Sequence, residues 1–228
     1  MTLRPRAHHT ILALLTLATL GQPVVADGVS GVYLGASAGL AKIDYDNSAY
    51  QTQLQDGVEG FGALNFTSAE LHDRKTAWWA NAGYMAWPFI GIDVSYLHFG
   101  ELYDQVNGTF TANDGAANSV GAATRVSSKG PALGLLFQLP LTDRFDVNLR
   151  IADYFARTRL TNILNAASYS TTIQSANRSS LMAGLGVSYV FAGHWSARLD
   201  YLRIEHAGDS TTGKYNAGML AAGASYTF

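Results

Sequence analysis

Four charged residues fall where the local alternation of the sequence turns them away from its greasy face: Asp93, Arg150, Arg198 and Asp200. Their same-parity neighbours are small or polar (Gly91 and Ser95 beside Asp93, Asn148 beside Arg150), while Ile92, Val94, Leu149 and Ile151 take the other face. Each stands a few residues in from the start of its segment, so at about 3.3 Å per residue the four share one level. Two positive and two negative charges in a narrow enclosed space neutralise one another, whereas a charge left alone there would cost several kcal/mol. Asp93 and Arg198 match in height on well-separated segments, which predicts an ion pair reaching across the interior. Such a set can act as a structural plug or as an ion-pair gate. Catalysis needs a nucleophile, a base and an orienting group within reach. The only residues of those types that gather are His98, His206, Asp209 and Ser210, and no nucleophile motif surrounds Ser210. Glu70, His72 and Asp73 could touch a metal, but their loop spacing defines no coordination geometry. The reading is a non-enzyme without cofactor or metal.

The segments that carry the charges alternate with a period of two, which makes them strands. Eight can be counted: 32–43, 76–87, 89–99, 130–139, 145–158, 181–191, 195–204 and a terminal strand from Asn216. Polar stretches of 44–75, 100–128, 159–177 and 205–214 alternate with tight turns at Pro88, 140–144 and 192–194. Pro88 suits a turn because it cannot continue a ladder. One face of these strands is rich in Leu, Val and Ile and carries Tyr84, Tyr96, Tyr189, Trp195 and Tyr201; the opposite face is mostly Gly, Ser, Asn and charge. A soluble up-and-down barrel would bury the apolar face and wet the other. Here the assignment inverts, with an apolar wall meeting lipid, aromatics at the interfaces and a polar lumen. The expectation is an all-β, eight-stranded antiparallel up-and-down transmembrane β-barrel, monomeric, with four long loops on one side. Eight strands leave an interior that side chains fill. Outward Asp153 and Arg203 lie near the top of the apolar band, and Arg203 could meet lipopolysaccharide head groups.

The two ends agree. Arg4 and Arg6 precede a short apolar run, 11–20, and Val24-Val25-Ala26 offers small cleavage residues. This predicts a secretory signal peptide at 1–26 and a barrel domain at 27–228. Its removal takes the net charge from −2 to 13 − 17 = −4. The absence of cysteine excludes disulfides and thiol chemistry, and the mildly acidic balance gives nucleic acid no electrostatic footprint. The last residues, NAGMLAAGASYTF, alternate to the end; Leu220, Ala222, Ala224, Tyr226 and Phe228 share one face.

The stretches AGYMAWPFIGIDVSYLHFGE, GLLFQLPLTDRFDVNLRIADYFART and SARLDYLRIEHAGD, with that closing strand, resemble the transmembrane domain of the outer membrane protein A family. The resemblance covers the strands and implies a Gram-negative outer-membrane barrel without the periplasmic peptidoglycan-binding domain of larger members. It also implies a lumen ion-pair network at Asp93, Arg150, Arg198 and Asp200. Gly223, Tyr226 and Phe228 resemble the signal read by the barrel-assembly machinery. The expected partners are therefore outer-membrane lipid, lipopolysaccharide and that machinery. The expected function is structural, contributing to envelope integrity and displaying surface loops; the alternatives are a small gated channel or an adhesion module.

Overall fold

The structure, a computed structural model, describes residues 31–45, 62–72, 74–165, 169–208 and 214–228. The predicted signal segment, Asp73, Asp209 and Ser210 lie outside them. Among the described residues nine antiparallel strands are present: β1 (Gly31–Tyr45), β2 (Gly62–His72), β3 (Arg74–Trp87), β4 (Ile90–Ala112), β5 (Ala117–Thr142), β6 (Phe145–Asn165), β7 (Tyr169–Ala192), β8 (Trp195–Ala207) and β9 (Tyr215–Thr227). Eight of them close a ring in the order β1, β3, β4, β5, β6, β7, β8, β9, with β9 pairing back onto β1 from Tyr33↔Thr227 to Tyr45↔Tyr215. A closed ring leaves no strand edge to be satisfied by water, which is what a lipid surround demands.

The ninth strand is a correction to the expected loop at 44–75. β2 pairs with the upper part of β4, from His72↔Tyr103 to Gly62↔Ala112, while β3 pairs with the lower part, from Trp78↔His98 downward. β2 and β3 therefore run end to end beside one partner, and the barrel remains eight strands round. The expected loops at 100–128 and 159–177 are also mostly strand. β4 and β5 stay paired up to Thr111↔Ala117, and β6 and β7 up to Asn165↔Tyr169. Backbone groups that leave the membrane zone in register keep pairing, so the hairpins project as stiff ribbons.

The wall is greasy outside. Val32, Leu34, Leu40, Ile92, Val94, Leu133, Leu135, Ile151, Leu185, Leu199 and Leu220 are all exposed. Tyr84, Tyr96, Tyr189, Trp195 and Tyr201 are exposed on that wall too. The interior has two parts. Toward the tight turns it is polar. Toward the long hairpins it is an apolar block of Leu97, Phe99, Val126, Tyr154, Met182, Leu202, Ile204 and Met219, all fully buried. The expected small and polar lumen thus holds for only one half. Along the upper strands the inward parity carries this core, while the outward parity mixes exposed apolar residues such as Phe155 and Leu181 with Lys129, Arg157 and Arg203.

Candidate functional site in the barrel interior

Strand parity places Asp93 on β4, Arg150 on β6 and both Arg198 and Asp200 on β8, and all four are buried. They meet as two pairs. Arg150 Nε lies 3.0 Å from Asp93 Oδ1, and Arg198 NH2 donates to Asp200 Oδ1 at 3.1 Å. The cross-lumen Asp93–Arg198 pair is not formed, which corrects the expectation drawn from height alone. Arg198 and Asp200 are two positions apart on one strand, side by side on its inner face, so Arg198 finds its acid next door. Arg150 spans a single intervening strand, β5, where Gly134 is paired with Asp93 and Leu136 with Arg150.

The Asp93 carboxylate collects more than an arginine. Tyr33 OH donates to its Oδ2 at 2.6 Å and Asn81 Nδ2 donates at 2.8 Å, with Arg150 NH2 at 3.4 Å. The close Nε–Oδ1 approach lies outside hydrogen-bonding geometry, so that contact is coulombic. Charge-assisted donors of this kind are about twice as strong as neutral ones. Trp79, fully buried, faces both guanidinium groups: Arg150 Cζ lies 4.2 Å from a ring centroid and Arg198 Cζ 5.3 Å. A desolvated cation over an indole gains roughly 2 kcal/mol or more. Trp79 thus joins the two ion pairs into one layer.

Backbone without side chains makes the room. A Cβ at Gly83 would collide with the Tyr33 ring and hydroxyl, and one at Gly186 with Asp200 Oδ1. Tyr33, Asn81 and Trp79 were not singled out from the sequence. Their inward parity was legible, but neutral residues carry no charge signal to distinguish them.

On the tight-turn side of the layer the interior opens into a cavity of about 270 Å³, lined by Tyr33, Leu136, Gln138, Asp146, Asn148, Ser188, Arg198 and Ser225 among others. Asn148 Nδ2 donates to Ser188 Oγ at 3.0 Å, and Ser188 Oγ to Asp146 Oδ2 at 3.5 Å. On the hairpin side the apolar block closes the bore. Phe99 and Tyr154 meet edge-on at 5.8 Å, and Tyr154 OH shares a hydrogen bond with Ser128 Oγ at 3.1 Å.

The remaining sequence candidates sit apart from this layer. His98 lies on the outer wall, stacked on Trp78 with centroids 5.9 Å apart and planes 4° apart. His206 takes a positive φ of 57° where β8 ends, and its N–H donates to Asn216 Oδ1 at 3.0 Å. The side chains of Glu70 and His72 lie outside the described residues. Asp153 accepts from Ser179 Oγ at 2.6 Å, and Arg203 Nε pairs with Glu205 at 3.4 Å. Gly223 sits inward on β9, where a Cβ would meet Ser37 Oγ and the Ala36 carbonyl. Tyr226 packs edge-on against Trp195 at 5.1 Å and Phe228 at 4.9 Å.

Residues 28–228 match the sequence model of the OmpA-like transmembrane domain. No curated protein matches the sequence. Among solved structures, Neisserial surface protein A is 16% identical, with 87% of this chain and 98% of that chain covered and a TM-score of 0.49. Ail, the attachment invasion locus protein of Yersinia pestis, is 12% identical, with 88% and 100% covered and a TM-score of 0.43. The outer membrane protease OmpT of Escherichia coli is 9% identical, with 87% and 97% covered and a TM-score of 0.44.

Proposed function

The chain belongs to the OmpA-like transmembrane domain family and is an outer-membrane β-barrel, and on that premise we propose that it is a structural, non-conducting and non-catalytic barrel that stiffens the envelope and displays its long hairpins at the surface. The observation that carries this reading is the closed bore. Two ion pairs fused through Trp79 are backed by an apolar block in which Leu97, Phe99, Met182, Ile204 and Met219 are each no more than 1% exposed. An ion moving through would have to leave water and enter that block at a cost of many kcal/mol. Asp93 with Arg150 and Arg198 with Asp200 neutralise one another in two pairs, which favours a role in holding the barrel together over one in turnover.

A gated channel is the second reading. The cavity on the tight-turn side already brings solvent-sized space up to Arg198. Planar-bilayer recording of the purified barrel separates the two. The structural reading expects no discrete openings from wild type. It also expects a strain lacking the protein to become sensitive to detergent and large apolar antibiotics. Discrete, voltage-stable openings would overturn the structural reading.

A further inference from the structure

The outer wall carries a basic row that the lumen does not explain. In register, one line of neighbours crosses five strands: Trp78 on β3, His98 on β4, Lys129 on β5, Arg157 on β6 and Asn177 on β7. Lys129 and Arg157 are both exposed and directly opposite each other. Facing side chains of an antiparallel pair have Cβ atoms only about 5 Å apart, and like charges placed so repel. Arg159, two positions further along β6, is exposed on the same face. Two other outward arginines have acids beside them: Arg125 Nε lies 3.7 Å from Glu101 and Arg203 Nε 3.4 Å from Glu205. Among the described residues Lys129, Arg157 and Arg159 form no ion pair. The outward carboxylate of Asp153, four positions below Arg157, lies about 13 Å along the strand and accepts from Ser179.

The height of the row selects the missing anion. Arg157 is twelve positions beyond Phe145, where β6 leaves its tight turn. At about 3.3 Å per residue and a tilt near 40°, that is roughly 30 Å up the wall, at the outer edge of an apolar band about 25 Å tall. Immediately below, Tyr96, Leu133 and Phe155 are exposed toward hydrocarbon. His98 adds a donor: its Nδ1 accepts from Gly100 N–H at 3.1 Å, which leaves the ring N–H on Nε2. We propose that Lys129, Arg157 and Arg159 bind the phosphate groups of an outer-leaflet phosphorylated glycolipid, with His98 Nε2–H as a flanking donor. Guanidinium groups match phosphate bidentately, and a bound phosphate converts the Lys129–Arg157 repulsion into shared attraction. The inference rests on the membrane-spanning fold and is independent of whether the lumen is plug or gate.

The test uses purified barrel in uncharged detergent, with native mass spectrometry reading retention of bis-phosphorylated lipid A. A triple variant, Lys129→Gln with Arg157→Gln and Arg159→Gln, should bind at least about tenfold more weakly. That tenfold loss corresponds to about 1.4 kcal/mol, which the loss of a single charge-assisted contact already supplies. Arg125→Gln, which removes an acid-paired arginine, should stay within about twofold of wild type. Dephosphorylated lipid A should bind wild type as weakly as the phosphorylated lipid binds the triple variant. Equal retention by wild type and triple variant, equal binding of the two lipids, or displacement by millimolar inorganic phosphate would overturn a lipid phosphate site. K129Q alone supplies a second readout should the triple variant fail to fold. It should raise the urea midpoint in uncharged detergent, where it relieves repulsion, and lower it when lipid A is present; a change of one sign in both media would sink the proposal.

Discussion

Arg150 reaches over β5 to hold its Nε 3.0 Å from Asp93 Oδ1, with Gly134 and Leu136 of the intervening strand lying beneath the bridge. At 2% and 1% exposure neither charge has access to bulk water, so each is the other's main compensation. Arg150→Ala or Asp93→Ala should therefore cost about 3–5 kcal/mol, because an orphan charge stays buried. The double variant should recover part of that loss. Arg198 has its own acid in Asp200, so the Asp93/Arg198 cycle should show much weaker coupling than the Asp93/Arg150 cycle. Urea midpoints in detergent micelles for both cycles check this. Equal coupling in the two would mean the pairs exchange partners.

Tyr33 should be the most exacting neutral member of the layer. Gly83→Val would drive a side chain into the Tyr33 ring and the Ile92 carbonyl, displacing the hydroxyl that donates to Asp93 at 2.6 Å. We expect G83V to lose at least as much stability as Tyr33→Phe, which removes the donor alone and should cost about 1.5–3 kcal/mol. Thermal unfolding followed by gel mobility would rank them. G83V matching wild type would show that the tyrosine can move without loss.

Parity is a local property, and it is what the sequence made readable. Alternation alone turned Asp93, Arg150, Arg198 and Asp200 inward and the exposed Tyr84, Tyr96, Tyr189, Trp195 and Tyr201 outward. Pairing is not local. Whether Asp93 meets Arg150 or Arg198 depends on register across three or more strands, and no turn residue encodes that sum. The apolar block was readable in principle, since Leu97, Phe99, Met182, Leu202 and Ile204 all have inward parity. It was obscured because the inward face changes character along each strand, from Asp93 and Asp200 near the tight turns to Leu97 and Leu202 above them, so one average character for the lumen face does not describe it. β2 was missed for a different reason: GALNFTSAELH mixes polar and apolar residues without a clean period and forms a strand by pairing with the raised edge of β4.

The apolar block itself should be stiff and closed. Phe99→Ala would open a cavity beside Tyr154 in a region with little freedom to collapse, at a cost of about 3–5 kcal/mol. Under the structural reading this variant folds, melts earlier and still passes no current, because the ion-paired layer continues to close the bore. Bilayer recordings on Phe99→Ala test the reading directly: discrete conductance would locate a gate in the block.

Phe228 and Ile173 make a controlled comparison for assembly. Both are large apolar side chains on strand ends or beyond, and their exposures are nearly equal, 63% and 61%. Loss of burial would therefore penalise Phe228→Ser and Ile173→Ser alike. Their surroundings differ. Phe228 packs edge-on against Tyr226 at 4.9 Å, Tyr226 against Trp195 at 5.1 Å, and the Phe228 N–H donates to the Val32 carbonyl at 2.9 Å, where β9 closes on β1. Ile173 sits high on the β6–β7 ribbon, opposite Thr161. Insertion that reads the closing strand should make Phe228→Ser lower the outer-membrane yield severalfold while Ile173→Ser leaves it near wild type. Pulse-labelled cells fractionated by membrane give the yield, and refolding of the purified variants into vesicles separates recognition from intrinsic stability. Equal outer-membrane yields for the two variants would remove any special role for Phe228. A Phe228→Ser defect that persists undiminished in pure vesicles would assign that role to closure of the barrel and not to recognition by a partner.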